Sequence, residues 1–389
     1  MCVFGRRCYV RAMGRTDVVV IGAGPAGLTV ANLLHRAGIG CLVLERETRE
    51  FIENRARAGF VEEWAVRALE RNGLADRLLR RAATQGSFEF RVDGTSHRFD
   101  YADLTGHRHF VYPQQELVKD LLACYPGPIR FSVGDIQLRS LDSSPYVAFD
   151  GERVDCDFVA GCDGARGVCQ SHVPATVARH DYGIGWLALL AEAPPSAESV
   201  VFGIHPNGFA GHMARTPSVT RYYLQCSADD TADDWPDERV WTELRARLAL
   251  PGEPIVAGPL IEKRVLRMHN YVLDRMSAGR LHLAGESAHL VAPIAAKGMN
   301  LAIHDAVLLA QGISAWYDGE KSALDGYSAA CLGRVWQYQE FSQWLSDLFH
   351  GSRDPFTHQL IQARLRRLLN SRKAAESFAE IYIGQHADH

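Results

Sequence analysis

The N-terminal part of the chain alternates between short apolar runs and a helical spacing of apolar residues. Residues 17–21 form a β-branched apolar run, and residues 41–44 form a second short apolar run. Between them, Leu28, Ala31 and Leu34 recur along one helical face. Apolar β-branched runs predict strands, whereas apolar residues three or four positions apart predict an amphipathic helix. The pattern therefore predicts a strand, a helix and a second strand, which is the βαβ unit of nucleotide-binding folds.

Alternating and aromatic segments follow between about residues 186 and 266, and segments such as 200–202 and 221–225 predict a β-rich layer. Residues 281–285 form another apolar strand, and residues 298–313 return to a helical pattern. The nucleotide fold therefore resumes after the β-rich insertion. We predict an α/β fold in which a βαβ domain is interleaved with a β-rich domain and followed by C-terminal helices.

The composition is that of an ordinary globular protein, with 47% hydrophobic and 23% charged residues and a net charge of -4. This charge gives no electrostatic reason to expect nucleic acid as a partner. No apolar stretch of about 18 residues is present, so we expect no membrane span. The nine cysteines include no CxxC pair or His/Cys cluster, so we expect neither a metal site nor a disulfide framework.

The first fifteen residues carry four arginines but no long apolar segment, so we expect no secretion signal and a cytoplasmic protein. Met13 is an alternative start to Met1, because the first strand begins only after Thr16.

The first βα turn carries the spacing Gly22, Gly24 and Gly27. The first glycine of such a turn allows a tight bend, the second lets the backbone approach a pyrophosphate, and the third permits close helix packing. Glu45 ends the next strand, where an acid can accept hydrogen bonds from a ribose. The glycine turn alone does not distinguish an FAD site from an NAD site.

Two later segments help to distinguish an FAD site from an NAD site. Residues 156–164 form a strand that runs into an Asp163-Gly turn, and residues 283–289 form a strand that runs into an acidic helix start at Glu286. Taken singly, each is more often a plain turn or helix cap. Together with the glycine turn they resemble the three fingerprints of the FAD-dependent aromatic hydroxylases, which have a glutathione-reductase-like FAD domain.

Further segments resemble the 4-hydroxybenzoate 3-hydroxylase branch of that family, in the same order and over about residues 16 to 384. These segments are residues 55–59, 111–114, 162–164, 221–223, 233–244 and 293–300, and Tyr382. The resemblance implies a discontinuous FAD-binding domain (16–83, 105–185 and 267–345), a substrate-binding β-sheet domain (84–104 and 186–266) and a C-terminal helical segment (346–389).

The resemblance also implies a set of cofactor-binding residues. They are Gly22, Gly24, Gly27, Glu45, Arg46, Arg57, Gln114, Asp163, Glu286, Lys297, Gly298, Met299 and Asn300. At one of these positions Glu286 replaces an aspartate of the family, which keeps the charge on a side chain one methylene longer.

Three further residues match positions that contact the substrate in the family. Arg215 matches the arginine that pairs with the substrate carboxylate, Tyr223 a tyrosine that also touches it, and Pro293 a residue whose carbonyl faces the ring. A guanidinium can bind a carboxylate through two parallel hydrogen bonds, so the substrate should be an acid. Without the resemblance, Arg215 would be interpreted as a surface residue and Tyr223 as a core tyrosine.

The sequence departs from the family at positions that contact both ends of the substrate. Phe202 stands where the family has a tyrosine that deprotonates the substrate phenol, and Met213 stands where it has a serine that contacts the carboxylate. Tyr382 matches the second tyrosine of the family's proton relay, but Thr84 and Gln85 occupy the region of its histidine. An amino group or a second hydroxyl also makes a ring electron-rich. We therefore hypothesise an amino- or dihydroxy-substituted benzoate as the substrate.

The segment after Glu45 bears on the electron donor. Arg46 matches the family, but Glu47 and Phe51 stand where members that prefer NADPH have glutamine and tyrosine. A carboxylate at Glu47 would repel a 2′-phosphate, which favours NADH and leaves NADPH open.

The resemblance thus predicts ring hydroxylation of a small aromatic acid with FAD, NADH or NADPH, and O₂. Tyr382 would handle protons, Pro293 would polarise the ring, and the aromatic C-terminal helices would suit a homodimer interface. Two alternatives are a flavin-dependent dehydrogenase or reductase that inserts no oxygen, and a flavin-binding scaffold without activity.

Overall fold

The computed structural model describes residues 14–55, 59–350 and 354–385, so Met13 and Arg57 lie outside the described residues. The chain divides into two compact units. The nucleotide unit comprises residues 1–83, 110–179 and 270–339, and the sheet unit comprises residues 84–109, 180–269 and 340–389. The C-terminal residues 346–389, expected as a segment of their own, are grouped with the sheet unit.

The described strands are β1 (Val18–Ile21), β2 (Cys41–Leu44), β3 (Phe60–Val61), β4 (Ala83–Gln85), β5 (Ser87–Val92), β6 (Thr95–Asp100), β7 (His109–Val111), β8 (Ile129–Arg130), β9 (Gln137–Arg139), β10 (Tyr146–Phe149), β11 (Glu152–Asp155), β12 (Phe158–Gly161), β13 (Val177–Ala191), β14 (Val200–Ile204), β15 (Ala210–Thr216), β16 (Val219–Ser227), β17 (Leu260–Leu273), β18 (Ser277–Ala278), β19 (Leu281–Leu283) and β20 (His289–Leu290). The described helices are α1 (Pro25–Arg36), α2 (Arg49–Asn54), α3 (Glu63–Arg71), α4 (Asp76–Arg81), α5 (Tyr101–Thr105), α6 (Gln114–Cys124), α7 (Asp237–Leu248), α8 (Gly298–Tyr317), α9 (Tyr327–Phe349), α10 (Pro355–Asn370) and α11 (Arg372–Tyr382).

The nucleotide unit is built on a six-stranded sheet with the order β18-β19-β12-β1-β2-β8. Strand β1 pairs in parallel with β2 and β12, and β12 pairs in parallel with β19. These registers place Ile21, Leu44, Gly161 and Leu283, the last residues of the four strands, at one edge of the sheet. In open parallel sheets ligands bind outside this carboxyl edge. The glycine turn and the acids of the later fingerprints all follow these four residues in the chain.

Helix α1 forms where the sequence predicts it and packs on this sheet. Pro25 occupies its first turn, where the missing N–H costs nothing, and Leu28, Ala31 and Leu34 are fully buried. The helix lies against α8, the helix predicted at residues 298–313. The apolar stripe of α1 therefore fixes the position of the glycine turn that precedes it.

The sheet unit holds most of an antiparallel-rich sheet whose consecutive strands are β17-β13-β16-β15-β14-β5-β6. One face packs against α7 through Leu187, Tyr222 and Leu224. Phe202 lies opposite Gly211 in the register, and Gly211 lies opposite Tyr223. Since cross-strand partners point to the same side, the predicted substrate residues Phe202 and Tyr223 share the face away from α7. We call this the open face.

None of the helices in the described ranges has an apolar stretch long enough to cross a lipid bilayer.

Candidate functional site

A cavity of about 370 Å³ lies at the carboxyl edge of the six-stranded sheet, within the nucleotide unit. Its lining includes nine of the predicted cofactor residues: Gly22, Gly24, Glu45, Arg46, Gln114, Asp163, Glu286, Gly298 and Met299. The three fingerprint segments, which are far apart in sequence, therefore meet at one cavity.

The glycine turn has the geometry that its spacing predicts. Gly22 has φ +104, and a Cβ added there would lie 2.3 Å from the carbonyl oxygen of Cys162. A Cβ on Gly27 would lie 2.0 Å from the carbonyl oxygen of Gly22. Around Gly24, in contrast, no atom lies within 4 Å of an added Cβ, and this N-cap of α1 receives no side-chain cap. The amides at the start of α1 are therefore free to bind an anion such as a pyrophosphate.

Glu45 ties the turn to the second strand. It is buried, its Oε2 accepts a hydrogen bond from the Ala23 N–H at 2.7 Å, and its Oε1 accepts one from the Glu47 N–H at 2.8 Å. A carboxylate offers about four lone-pair sites, so Glu45 retains capacity to accept from ribose hydroxyls.

Asp163 presents an unsatisfied acceptor. Its Oδ2 accepts from the Cys169 N–H at 2.9 Å, but its Oδ1 is buried and has no hydrogen-bond partner among the described residues. A buried acceptor of this kind fits a ligand that brings a donor. Glu286 lines the same cavity, and its carbonyl accepts a hydrogen bond from the Tyr271 hydroxyl.

Asp305 and His289 hold the turn before Glu286, and sequence reasoning missed both. The Asp305 Oδ2 accepts from the Gly285 N–H at 2.9 Å and lies 2.6 Å from the His289 Nε2. Burial opposes ionisation of Asp305, but its pairing with His289 holds the pKa of the carboxyl below the usual range. A carboxylate on the apolar side of α8 was the available signal, because such a residue is rarely buried without a partner.

The four predicted cofactor residues at the start of α8 fall into two groups. Gly298 and Met299 line the cavity, whereas Lys297 and Asn300 do not. The buried Lys297 ammonium pairs with the buried Glu62 carboxylate. Burial lowers the pKa of Lys297, although Glu62 opposes the shift.

Asn300 also holds the loop before α8 through three hydrogen bonds. Its Oδ1 accepts from the Glu62 N–H at 2.9 Å, and its Nδ2 donates to the carbonyls of Phe60 and Ala296, both at 3.2 Å. Ala296 has φ +55 and donates its N–H to the Pro293 carbonyl at 3.2 Å. Lys297 and Asn300 therefore hold the loop that presents Gly298, and Pro293 begins the turn before it. Glu62, the partner of both, was not predicted from the sequence.

Arg215 lies on β15 in the sheet unit, two residues beyond Met213 and at a register shift between Ala214 and Thr216. It is half-buried, and burial lowers the pKa of its guanidinium, whereas Tyr223 raises it. Arg215 makes no hydrogen bond or ion pair with any other described residue. The neighbouring Arg221, by contrast, is paired with Glu262 at 3.0 Å. A partly desolvated cation without a counter-ion is suited to bind an anionic ligand.

Phe202 and Tyr382 belong to an aromatic cluster in the sheet unit. Phe202 is buried, stacks on Phe349 with 4.7 Å between centroids and contacts Phe88 at 5.2 Å. Tyr382 contacts the same Phe88 ring at 5.0 Å, and burial raises the pKa of its hydroxyl. Position 202 therefore offers no hydroxyl, while Tyr382 does.

The region predicted to bind the electron donor is exposed. The Arg46 Nε lies 3.3 Å from the Glu47 Oε1, so the two charges pair with each other. Phe51, on α2, is also exposed.

Taken together, the cavity fits a dinucleotide cofactor. It combines free helix amides for a pyrophosphate, an acid at a ribose position and a buried acceptor at Asp163. The fold and this site define a dinucleotide-binding α/β protein.

A family model described as FAD binding domain matches residues 15–342. The p-hydroxybenzoate hydroxylase of Acinetobacter baylyi is 35% identical to the chain over 385 residues, covering 95% of each protein. The 3-amino-4-hydroxybenzoate 2-monooxygenase of Streptomyces platensis is 30% identical over 396 residues, covering 95% of this chain and 96% of the relative. Among solved structures, the p-nitrophenol 4-monooxygenase of Pseudomonas putida superposes with a TM-score of 0.82 at 21% identity, covering 95% of this chain and 98% of that one.

The chain therefore belongs to the FAD-binding-domain family and is one of its FAD-dependent aromatic monooxygenases. The α/β fold, the FAD cofactor and the resemblance stated from the sequence are confirmed. NAD(P)H is the usual electron donor of this class.

Proposed function

We propose that the protein hydroxylates the ring of a small benzoate that carries an amino group or a second hydroxyl. The observation that carries this proposal is Arg215, a half-buried cation that forms no direct ion pair with any described residue. A carboxylate held there by two charge-assisted hydrogen bonds would direct its ring along the open face. The Tyr223 hydroxyl, which has no hydrogen-bond partner among the described residues, supplies a further contact.

Phe202 and Met213 argue for a substrate other than simple 4-hydroxybenzoate. Neither side chain can exchange a proton, and Phe202 is packed into an aromatic cluster. A ring activated by an amino group needs no phenolate to react with an electrophilic oxygen. One relative is named for an aminohydroxybenzoate, which supports this substrate class.

In the proposed reaction, bound FAD supplies the redox chemistry that splits O₂ and delivers one oxygen atom to the ring. The amides at Gly24 would hold the pyrophosphate, and Glu45 would hold the ribose. Arg215 and Tyr223 would orient the acid, and the Phe202 cluster would present an apolar surface that excludes water from its ring. The Lys297–Glu62 pair keeps the loop of Pro293 and Gly298 in place.

We further propose that NADH is the preferred electron donor. Glu47 neutralises Arg46, which is the cation that a 2′-phosphate would otherwise meet at this point. The ratio of flavin reduction rates with NADH and NADPH tests this preference directly.

The substrate proposal is tested by turnover of the purified flavoprotein with a panel of benzoates. Amino- and dihydroxybenzoates should give more product per NADH consumed than 4-hydroxybenzoate. Efficient hydroxylation of 4-hydroxybenzoate alone would contradict the altered-substrate proposal.

A further inference from the structure

Three side chains with metal-ligating atoms lie together between helices α8 and α9 of the nucleotide unit. They are His304 and Asp305, which are adjacent on α8, and Cys331 on α9. One nitrogen of His304, one carboxylate oxygen of Asp305 and the Cys331 Sγ all lie within 4.8 Å of one another. Asp305 and Cys331 are fully buried, whereas the His304 side chain is 16% exposed. We call these three residues the His-Asp-Cys cluster.

Two atoms of the cluster are buried without a hydrogen bond. The His304 Nδ1 and the Asp305 Oδ1 have no hydrogen-bond partner in the described part of the chain. They lie 3.7 Å apart, which is too far for a hydrogen bond between them. The other carboxylate oxygen of Asp305 binds the Gly285 N–H and His289. Asp305 therefore holds the turn before Glu286 with one oxygen and has the other available for a ligand, which a buried polar atom without a partner favours.

The spacing of the cluster suits a single metal ion. Bonds of about 2.0–2.3 Å from a tetrahedral Zn²⁺ to nitrogen, oxygen and sulfur place two of its ligands about 3–4 Å apart. The 3.7 Å between the His304 Nδ1 and the Asp305 Oδ1 meets this requirement. The Cys331 Sγ, within 4.8 Å of both residues, reaches it by a small rotation of its side chain. His304, the partly exposed member, marks the side from which an ion and a water molecule can enter.

The kinds of ligand indicate which metal the cluster would bind. A thiolate at Cys331 and the carboxylate of Asp305 would repel each other, and burial and Asp305 both raise the pKa of the Cys331 thiol. A divalent cation between them neutralises both charges and stabilises the thiolate. Sulfur, nitrogen and oxygen together suit Zn²⁺, whereas Mg²⁺ and Ca²⁺ take oxygen ligands. The bonds from Gly285 and His289 to Asp305 would orient its carboxylate, as outer partners of metal ligands do.

We propose that the His-Asp-Cys cluster binds one Zn²⁺ ion through the His304 Nδ1, the Asp305 Oδ1 and the Cys331 Sγ, with water as the fourth ligand. The Cys331 thiol loses its proton to solvent as the zinc–sulfur bond forms, and nothing is oxidised or reduced. The ion fixes the Asp305 carboxylate, whose other oxygen holds the Gly285 N–H. Bound Zn²⁺ therefore stabilises the turn of residues 285–287 and slows the loss of FAD. The site goes beyond the proposed function, because it involves no substrate.

The test titrates the FAD-loaded enzyme with Zn²⁺ in competition with a chromophoric chelator, and uses Co²⁺ as a spectroscopic substitute. All proteins carry Cys124→Ala, which removes an exposed cysteine as a competing ligand. The cluster variants are Cys331→Ala and His304→Gln. The matched controls are Cys156→Ala, at another buried cysteine of the nucleotide unit, and His35→Gln, at another half-buried histidine on a helix.

The parent protein should bind one Zn²⁺ per chain with a Kd of about 1 μM or lower. Each cluster variant should weaken the binding of Zn²⁺ about tenfold or more, whereas the controls should stay within about twofold of the parent. Bound Co²⁺ should show a sulfur-to-cobalt charge-transfer band that is lost in Cys331→Ala. Zn²⁺ should slow the release of FAD on dilution in the parent and the controls, but not in the cluster variants.

Three results would overturn the zinc site: no stoichiometric binding of Zn²⁺ by the parent, parental affinity in both cluster variants, or a parental Co²⁺ spectrum without the sulfur-to-cobalt band. The Co²⁺ spectrum decides even if a cluster variant fails to fold, because it is recorded on the parent. A rate of FAD release that Zn²⁺ leaves unchanged would overturn the effect on the turn. Each of these results leaves the proposed function standing, because that function is tested by turnover of benzoates.

Discussion

At the scale of single residues, Arg215 is the side chain on which substrate recognition depends. Arg215→Gln removes the charge and should raise KM for a benzoate by about 10- to 150-fold, since hydrogen bonds to charged groups contribute roughly 1.5–3 kcal/mol. Arg215→Lys keeps the charge but cannot form two parallel hydrogen bonds to one carboxylate. Its KM should lie between those of the wild type and Arg215→Gln. Steady-state kinetics on the preferred benzoate measure the effect.

The matched control is Arg239→Gln, which removes an exposed arginine from α7 in the same unit. It should leave KM unchanged. Equal KM values for Arg215→Gln and Arg239→Gln would show that Arg215 does not bind the substrate.

Glu47 is the residue that bears on donor choice. Glu47→Gln frees Arg46 from its partner at 3.3 Å and removes a charge that repels a 2′-phosphate. Because both side chains are exposed, the effect should be modest, roughly a three- to tenfold gain in the NADPH to NADH ratio of flavin reduction rates. Glu53→Gln on the neighbouring helix α2 is the control. A ratio that Glu47→Gln leaves unchanged would contradict the proposed role of Glu47.

At the scale of elements, the turn of residues 285–287 depends on helix α8 through Asp305. Asp305→Asn leaves His289 without its charged partner in a buried site, which typically costs about 3–5 kcal/mol of stability. It also weakens the hydrogen bond from the Gly285 N–H, which positions the turn of residues 285–287 at the cavity. FAD affinity should therefore fall about tenfold or more. Denaturant unfolding and flavin fluorescence titration measure the two effects.

The double variant Asp305→Leu with His289→Leu removes both polar partners. It should be less destabilised than Asp305→Asn, because no member of the ion pair stays buried without its partner and only the Gly285 N–H loses its acceptor. A double variant that unfolds more easily than the single one would show that the pair stabilises the fold by itself.

The elements around the cofactor were largely predictable because their signals are local. The β-branched run at residues 18–21, the glycine turn and the stripe of α1 each occupy one short window, and the structure places them as predicted. Supporting pairs such as Glu62 with Lys297 join positions distant in sequence. No periodicity encodes such a pair. The resemblance places Lys297 and Asn300 at the cofactor, whereas in the structure their side chains contact Glu62 and hold the loop before α8.

The predicted substrate residues also show that side-chain partners distant in sequence cannot be predicted from local patterns. In sequence, Arg215 and Arg221 are both arginines in a β-rich segment. Only the three-dimensional structure distinguishes the one paired with Glu262 from the one without an ion pair.

At the scale of the whole molecule, buried neutral histidines make stability depend on pH. Burial lowers the pKa of His212 and of His282 to about 4, and that of His350 to about 3. His350 accepts a hydrogen bond from the Trp186 Nε1 at 2.8 Å, which requires its Nε2 to be unprotonated. In the unfolded chain a histidine titrates near pH 6.5.

Between about pH 4 and 6.5 the unfolded state therefore binds more protons than the native state, so stability rises with pH in this window and is lost as the pH falls. Each such histidine contributes at most about 1.4 kcal/mol per pH unit. His350→Gln should flatten the dependence of the free energy of unfolding on pH, whereas His180→Gln, at an exposed histidine, should not. An identical slope in wild type and His350→Gln would contradict this account.

The most direct test of the central claim is the fate of O₂ during turnover with an amino- or dihydroxybenzoate. The purified flavoprotein, NADH and the benzoate are incubated under isotopically heavy oxygen gas, and the product is weighed by mass spectrometry. The account predicts a ring-hydroxylated acid that carries one heavy oxygen atom, formed in proportion to the NADH consumed. NADH consumption with no labelled product from any benzoate would contradict it and would indicate a reductase of the same fold.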